Sequence, residues 1–186
     1  MGLEVALQCD PRPVDLPTVF CSRHGDMRRT FELLETLARD EPLSPTSFGL
    51  SVHNAVGGML SIALASHAAM TAIAGGVATV PAGILEACSL LSRGAPEVLL
   101  VAHDEPPPDA YQQFRDEEEV VYAWAWRMTQ PTDVSYALTL ELAGTPAMGA
   151  TPVEPLGLEI LRCFLLGVQE RRLQRRGQTW RWRRYA

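Results

Sequence analysis

A chain of 186 residues, 47% hydrophobic and 20% charged, carries enough apolar material for a buried core, which excludes a disordered tail or linker. Its sixteen basic residues are all arginine and face twenty-two acids, so the formal charge of -6 disfavours a nucleic-acid binder that works with its whole surface. The signs are segregated: residues 171–186 hold seven arginines and no acid, leaving nine arginines against twenty-two acids in residues 1–170, a balance of -13.

Leu3 to Leu7 reads as the end of a short helix, and Pro11, Pro13 and Pro17 mark a turn-rich connection after it. β-Branched and aromatic residues from Thr18 to Ser22, before Gly25, predict a strand. Asp26 is placed to cap a helix whose apolar residues Met27, Phe31, Leu34, Leu37 and Ala38 recur at helical spacing, and which stops before Pro42. A loop from Pro42 to Gly49 leads to a helix of small residues that opens at Ser51 or Asn54 and runs to about Ala65. Met70 to Ala74 reads as a buried strand. Thr79 opens a further helix through Leu91, with Pro81 tolerated in its first turn and Gly94 ending it. Glu97 to Ala102 is a strand of continuous apolar character, as expected in a sheet covered on both faces. Helix and strand alternate to this point, which predicts a layered α/β sheet.

The next part differs. Asp104 to Glu119 is proline-rich and acidic, and Val120–Met128 and Val134–Leu142 alternate like two paired strands around a Pro131–Asp133 turn. Leu156 to Val168 repeats apolar residues at helical spacing. Trp180-Arg181-Trp182-Arg183-Arg184 alternates with period two and predicts an edge strand with Trp inward and Arg outward; the same interleaving occurs in single-stranded nucleic-acid binders. No internal repeat or linker is visible, so one domain over 1–186 is expected.

Candidate chemistry is sparse. Cys9, Cys21, Cys88 and Cys163 lack metal-ligand spacing and a disulfide framework, which points to a reducing, cytoplasmic compartment without a metal site. Residues 55–85 contain no Asp, Glu, Lys or Arg, yet Gly57-Gly58, His67, Gly75-Gly76 and Pro81 divide them into pieces the length of core elements rather than a membrane span. Cys88 reads as a buried small hydrophobe. Cys21 and His24 make a nearer nucleophile–base pair only if the chain bends after Ser22. His53 and Asn54 read as structural polar residues that cap a helix and fix the preceding loop. Glu117-Glu118-Glu119 with Asp104, Glu105 and Asp116 lacks the spacing of a calcium loop and reads as a solvated acidic loop. The Gly75-Gly76 pair serves a tight strand-to-helix turn rather than a phosphate cradle.

The block from Ser44 to Glu105 resembles the ketosynthase half of the thiolase-like fold. Its Ser44-Pro45 loop, the helix carrying Asn54 and Gly58, the strand Met70–Ala74, the helix Ile84–Leu91 and the strand Glu97–Val101 follow that pattern without a gap. A longer match takes in the Thr18 strand, His24-Gly25-Asp26, Ser51-Val52-His53-Asn54, Leu85-Glu86-Ala87 and Trp180-x-Trp182. It is similar to the half-length chain-length factors of bacterial aryl polyene pathways.

The resemblance implies a layered thiolase-like half-fold with a mixed sheet, and one departure from the family. Where condensing ketosynthases present a cysteine after the dimer strand, this chain has Val77, which cannot be acylated; the histidines of the family's second half are absent. A noncatalytic subunit is therefore expected. It would need no cofactor, pair with an active beta-ketoacyl synthase, and act on chains borne by an acyl carrier protein. Thr46, Ser47, Phe48, Leu50, Met70 and Ile73 would line the acyl tunnel and partner interface, and Arg181 and Arg183 would dock the carrier. Relatives begin with a strand before the first helix, so an N-terminal truncation is expected. The alternatives are an independent thiolase-like enzyme using Cys21 or another cysteine, and a nucleic-acid binder using the Arg/Trp tail.

Overall fold

The computed structural model describes residues 1–9, 16–115, 117–132, 138–142, 154–175 and 178–185. In chain order these form α1 (Gly2–Gln8), β1 (Thr18–Cys21), α2 (Met27–Ala38), α3 (Pro45–Leu50), α4 (Ala55–Leu64), β2 (Met70–Ile73), α5 (Thr79–Ser92) and β3 (Glu97–Asp104). A 3-10 helix (Asp109–Phe114), β4 (Tyr122–Thr129), β5 (Leu138–Leu142), α6 (Leu156–Leu165), β6 (Glu170–Arg175) and β7 (Gln178–Arg184) follow.

The first sheet has the order β2-β1-β3-β4, with β1 parallel to both β2 and β3, and β4 antiparallel to β3. Val98 to Ala102 of β3 are fully buried, which bears out the reading of a strand covered on both faces. On one face α5 and α6 pack with Val19, Cys21, Leu100 and Trp124; on the other α1 and α4 close over Phe20, Leu99 and Val101. Helix α5 lies very close to β1, because Gly83 faces the Cys21 thiol and leaves no room for a Cβ. A second, antiparallel sheet of order β5-β7-β6 adds Leu173, Trp180 and Trp182 to the α5/α6 side of the core.

Local rules explain most helix ends. The Asp26 carboxylate accepts from the Arg29 amide at 2.9 Å and caps α2 as expected. Thr79 is the first residue of α5, and Gly94 beyond its end has φ +103°. The expected loop from Pro42 to Gly49 instead contains α3, started by Ser44 as N-cap and Pro45 in the first turn.

Four further expectations are corrected. Met70–Ala74 is not a buried strand: β2 ends at Ile73 and is a half-exposed edge strand, since β1 covers only one of its sides. The expected hairpin of Val120–Met128 with Val134–Leu142 does not form: β4 pairs with β3, and β5 pairs with β7. Its turn at Pro131–Asp133 and residues 134–137 fall partly or wholly outside the described residues, as do Pro11 and Pro13. The Arg/Trp strand is not at an edge. It is the central strand of its sheet, with Trp180 and Trp182 buried inward and Arg181 and Arg183 partly exposed outward, as the alternation predicts.

The fourth correction concerns the acidic loop. Glu117 and Glu119 are not solvated: the Arg23 guanidinium donates to both, and the Arg23 and Glu117 side chains are only 4% and 3% exposed. Arg175 of β6 stands 3.5 Å from the second Glu117 oxygen and donates to Glu159 of α6 at 2.9 Å, where Arg171 also donates. The chain of ion pairs thus joins β1, the loop before β4, α6 and β6. Removing one partner of a buried pair leaves a bare charge, so Glu117→Ala is expected to lower the unfolding free energy by about 3–5 kcal/mol. Arg39→Ala removes an exposed pair with Glu35 and is expected to cost about 0.5 kcal/mol or less. Urea denaturation of both variants checks this, and equal losses would contradict it.

Candidate functional site

The turn between β2 and α5 is where the resemblance to ketosynthases implies the place of a nucleophile. Ile73 ends the strand, and Gly76 takes a left-handed φ of +58° that a side chain would resist. The Thr79 hydroxyl accepts from the Gly75 amide at 2.9 Å and donates to the Gly76 carbonyl at 2.7 Å, so one side chain closes the turn from inside the helix. This bears out the tight-turn reading of Gly75-Gly76. Val77 sits half-buried two residues before α5 begins, and its isopropyl group offers neither proton nor lone pair.

Beside this turn the ends of β1 and β3 carry a polar cluster that the sequence did not announce. Asp104 accepts from the Ser22 hydroxyl at 3.0 Å, the Arg23 amide at 2.8 Å and the Tyr122 hydroxyl at 3.1 Å. The Gly25 amide donates to Ser22 Oγ at 2.8 Å, which draws the chain into a bend directly after the strand. Asp104 thereby ties together the ends of β1 and β3 and the start of β4. Burial, with Asp104 adding to it, holds the Tyr122 hydroxyl far above its ordinary range and therefore protonated. The separation of these partners by about eighty positions between Ser22 and Asp104 is what hid them from local pattern reading.

The bend that a Cys21–His24 pair would need is present, but the thiol is not activated. Cys21 is fully buried against α5, and burial with the Asp104 charge pushes its pKa up to about 12. Burial likewise raises Cys163. Cys88, expected to be buried, is exposed on the outer side of α5. Among the described residues no group of His, Cys, Asp and Glu is arranged to hold a metal ion, and no helix is long and apolar enough to cross a membrane.

His53 and Asn54 do not cap α4 through their side chains. Asn54 occupies the N-cap position without a side-chain capping bond, and His53 Nε2 instead lies 2.7 Å from the Ser22 carbonyl, tying the start of α4 to the end of β1. Thr46, Ser47, Phe48 and Leu50 lie on α3, which contacts α4, which in turn contacts β2 with Met70 and Ile73. Met70 lies against Gly57 of α4 and so joins Thr46, Ser47, Phe48 and Leu50 on the α3/α4 side, whereas Ile73 packs with the core on the α5 face of the sheet, so the structure brings together five of the six. Phe48 is 62% exposed and Ile62 on α4 is 82% exposed, so this charge-poor side presents apolar groups outward. Arg181 and Arg183 stand apart on the second sheet, where Glu170 lies 3.7 and 3.5 Å away.

Residues 1–183 match the family model described as beta-ketoacyl synthase, N-terminal domain. The chain is similar to a chain in the structure of a ketosynthase, ApeO, in complex with its chain length factor, ApeC, from Xenorhabdus doucetiae. Identity there is 27% and the TM-score 0.87, over 98% of this chain and 75% of that one. It also shares the fold of the ishigamide ketosynthase/chain length factor, at 13% identity and a TM-score of 0.54, over 69% of this chain and 41% of that one. No curated protein matches the sequence.

The raised thiols carry a direct expectation. In the native protein at neutral pH, iodoacetamide should alkylate exposed Cys88 while Cys21 reacts only after denaturation; peptide mass mapping reads the order, and native labelling of Cys21 would contradict it.

Proposed function

Because the chain belongs to the beta-ketoacyl synthase family, we propose that it is a noncatalytic chain-length-factor subunit that pairs with an active ketosynthase. The single observation that carries this reading is Val77 in the turn that opens α5, where the family's acyl-accepting cysteine would stand. The buried thiols of Cys21 and Cys163 are raised rather than lowered, which supports the same conclusion.

The partner would cover the side formed by α3, α4 and β2. An edge strand with one unpaired side and apolar neighbours favours association. There Thr46, Ser47, Phe48, Leu50 and Met70 line the interface and reach toward the partner's acyl tunnel, with Ile73 joining them from the α5 face of the same edge strand. Phe48 contributes to its floor, because an aromatic ring that must be displaced stops a growing apolar chain. The outward face of β7 meets an acyl carrier protein through Arg181 and Arg183, since opposite charge speeds encounter. The product class is the aryl polyene, the setting is the cytoplasm, and one domain over 1–186 acts without a cofactor of its own. Likeness to a chain of the Xenorhabdus complex, in which a ketosynthase is joined by its chain length factor, supports the pairing.

Reconstitution with an active ketosynthase and acyl carrier protein tests the proposal. The isolated chain should gain no acyl mass from a carrier-bound substrate. Co-expression should yield a stable heterodimer in which Phe48→Ala lengthens the products. Acylation of the isolated chain, or failure to associate with any ketosynthase encoded beside it, overturns the reading; an unchanged product distribution in a folded Phe48→Ala complex removes the gating role.

A further inference from the structure

Helix α1 is seven residues long, too short to persist in water alone, so its order depends on what it rests on. Only Gly2 and Ala6 are buried, and both are small enough to bring the helix backbone close to the sheet. Gly2 lies against the imidazole of His103 at the end of β3: a Cβ built on Gly2 would stand 2.6 Å from Cδ2 of that ring. With α1 over it, the ring is walled off from water on this side. Beneath the helix lies the smaller apolar cluster of Ala6, Leu16, Phe20, Leu60, Leu99 and Val101.

We infer that His103 and α1 form a proton-operated latch, in which the neutral imidazole seats the helix and a charged one releases it while the rest of the sheet stays folded. The charged and titratable groups around the ring are divided. Asp104 on the same strand and Asp26 at the start of α2 favour its charge, whereas His53 before α4 and the amino terminus of α1 oppose it. Burial is the largest effect and holds the ring below its ordinary value near 6.5.

The sign follows from linkage. Seated, His103 stays neutral as the pH falls past about 6.5; released into water, it takes up a proton there. The released state therefore gains protons first, and docking weakens from about pH 6.5 downward until the seated ring also titrates, below which no further loss occurs. The inference stands whether or not the chain is a chain-length factor, because it uses only α1, β3 and their neighbours. Its consequence is a surface that becomes apolar on acidification, beside α4.

Hydrogen exchange on the whole chain tests this, with rates corrected for the intrinsic effect of pH. Between about pH 7.5 and 5.5 the protection of the Val5–Cys9 amides should fall by about fivefold or more, while the Leu99–Val101 amides of β3 keep theirs. His103→Gln should flatten that response, and Gly2→Ala should leave α1 weakly protected at both pH values. In the wild type the loss of protection should begin near the ordinary imidazole range and level off where the imidazole's own titration, followed by its ring-proton shift, sets in. Protection of α1 that tracks β3 throughout, a pH response that survives in His103→Gln, or a loss that continues below the imidazole's own titration would each overturn the latch.

Discussion

The chain of charges from Arg23 through Glu117, Arg175 and Glu159 to Arg171 is what makes one structure out of two sheets. Arg23 extends from the end of β1, Glu117 precedes β4, Glu159 belongs to α6, and Arg175 and Arg171 belong to β6. Apolar contacts could let these elements slide, because dispersion and hydrophobic burial are nearly indifferent to small shifts in register. Guanidinium–carboxylate pairs are directional, and a misplaced buried one is expensive. The Leu156 amide donates to Glu117 as well, at 3.2 Å, so the same carboxylate also receives the first turn of α6. With arginine as the only cation, each pair keeps its charge at any pH at which the protein is folded on the basic side.

That constraint extends to the polar cluster at the strand ends. Asp104 collects Ser22, Arg23 and Tyr122 into one knot, and Arg23 thereby belongs to both the knot and the ion-pair chain. The knot fixes the bend that leads into α2, while His53 brings the start of α4 to the same place. The turn bearing Val77 is thus held next to a cluster that hydrogen bonds tie across β1, β3 and β4.

Elements governed by neighbours in sequence are legible, and those governed by distant partners are not. The cap at Asp26, the start of α5 at Thr79, the buried strand β3 and the inward Trp180 and Trp182 all follow from local periodicity and capping. The pairing of β4 escapes such a reading because alternation says which residues share a face and not which strand lies alongside; its partner β3 precedes it rather than follows. Glu117 and Glu119 look like a solvated run because their arginine lies about ninety positions earlier. Cys88 looks buried because it sits among the apolar residues Ile84, Leu85, Ala87, Leu90 and Leu91, and only the placement of α6 and the second sheet decides which side of α5 is covered.

The order β5-β7-β6 has a consequence for synthesis on the ribosome. The two outer strands are translated first, and in this sheet neither pairs with the other; both must wait for β7 to slot between them. Until Gln178 to Arg184 emerge, Trp180 and Trp182 are missing from the core and two strand edges stay open at once. The nascent chain therefore passes through an interval in which its first sheet is fully encoded but its second cannot close, and its need for protection from aggregation is concentrated there. Deleting the 7 residues Gln178–Arg184 would take away one strand yet unmake the whole second sheet.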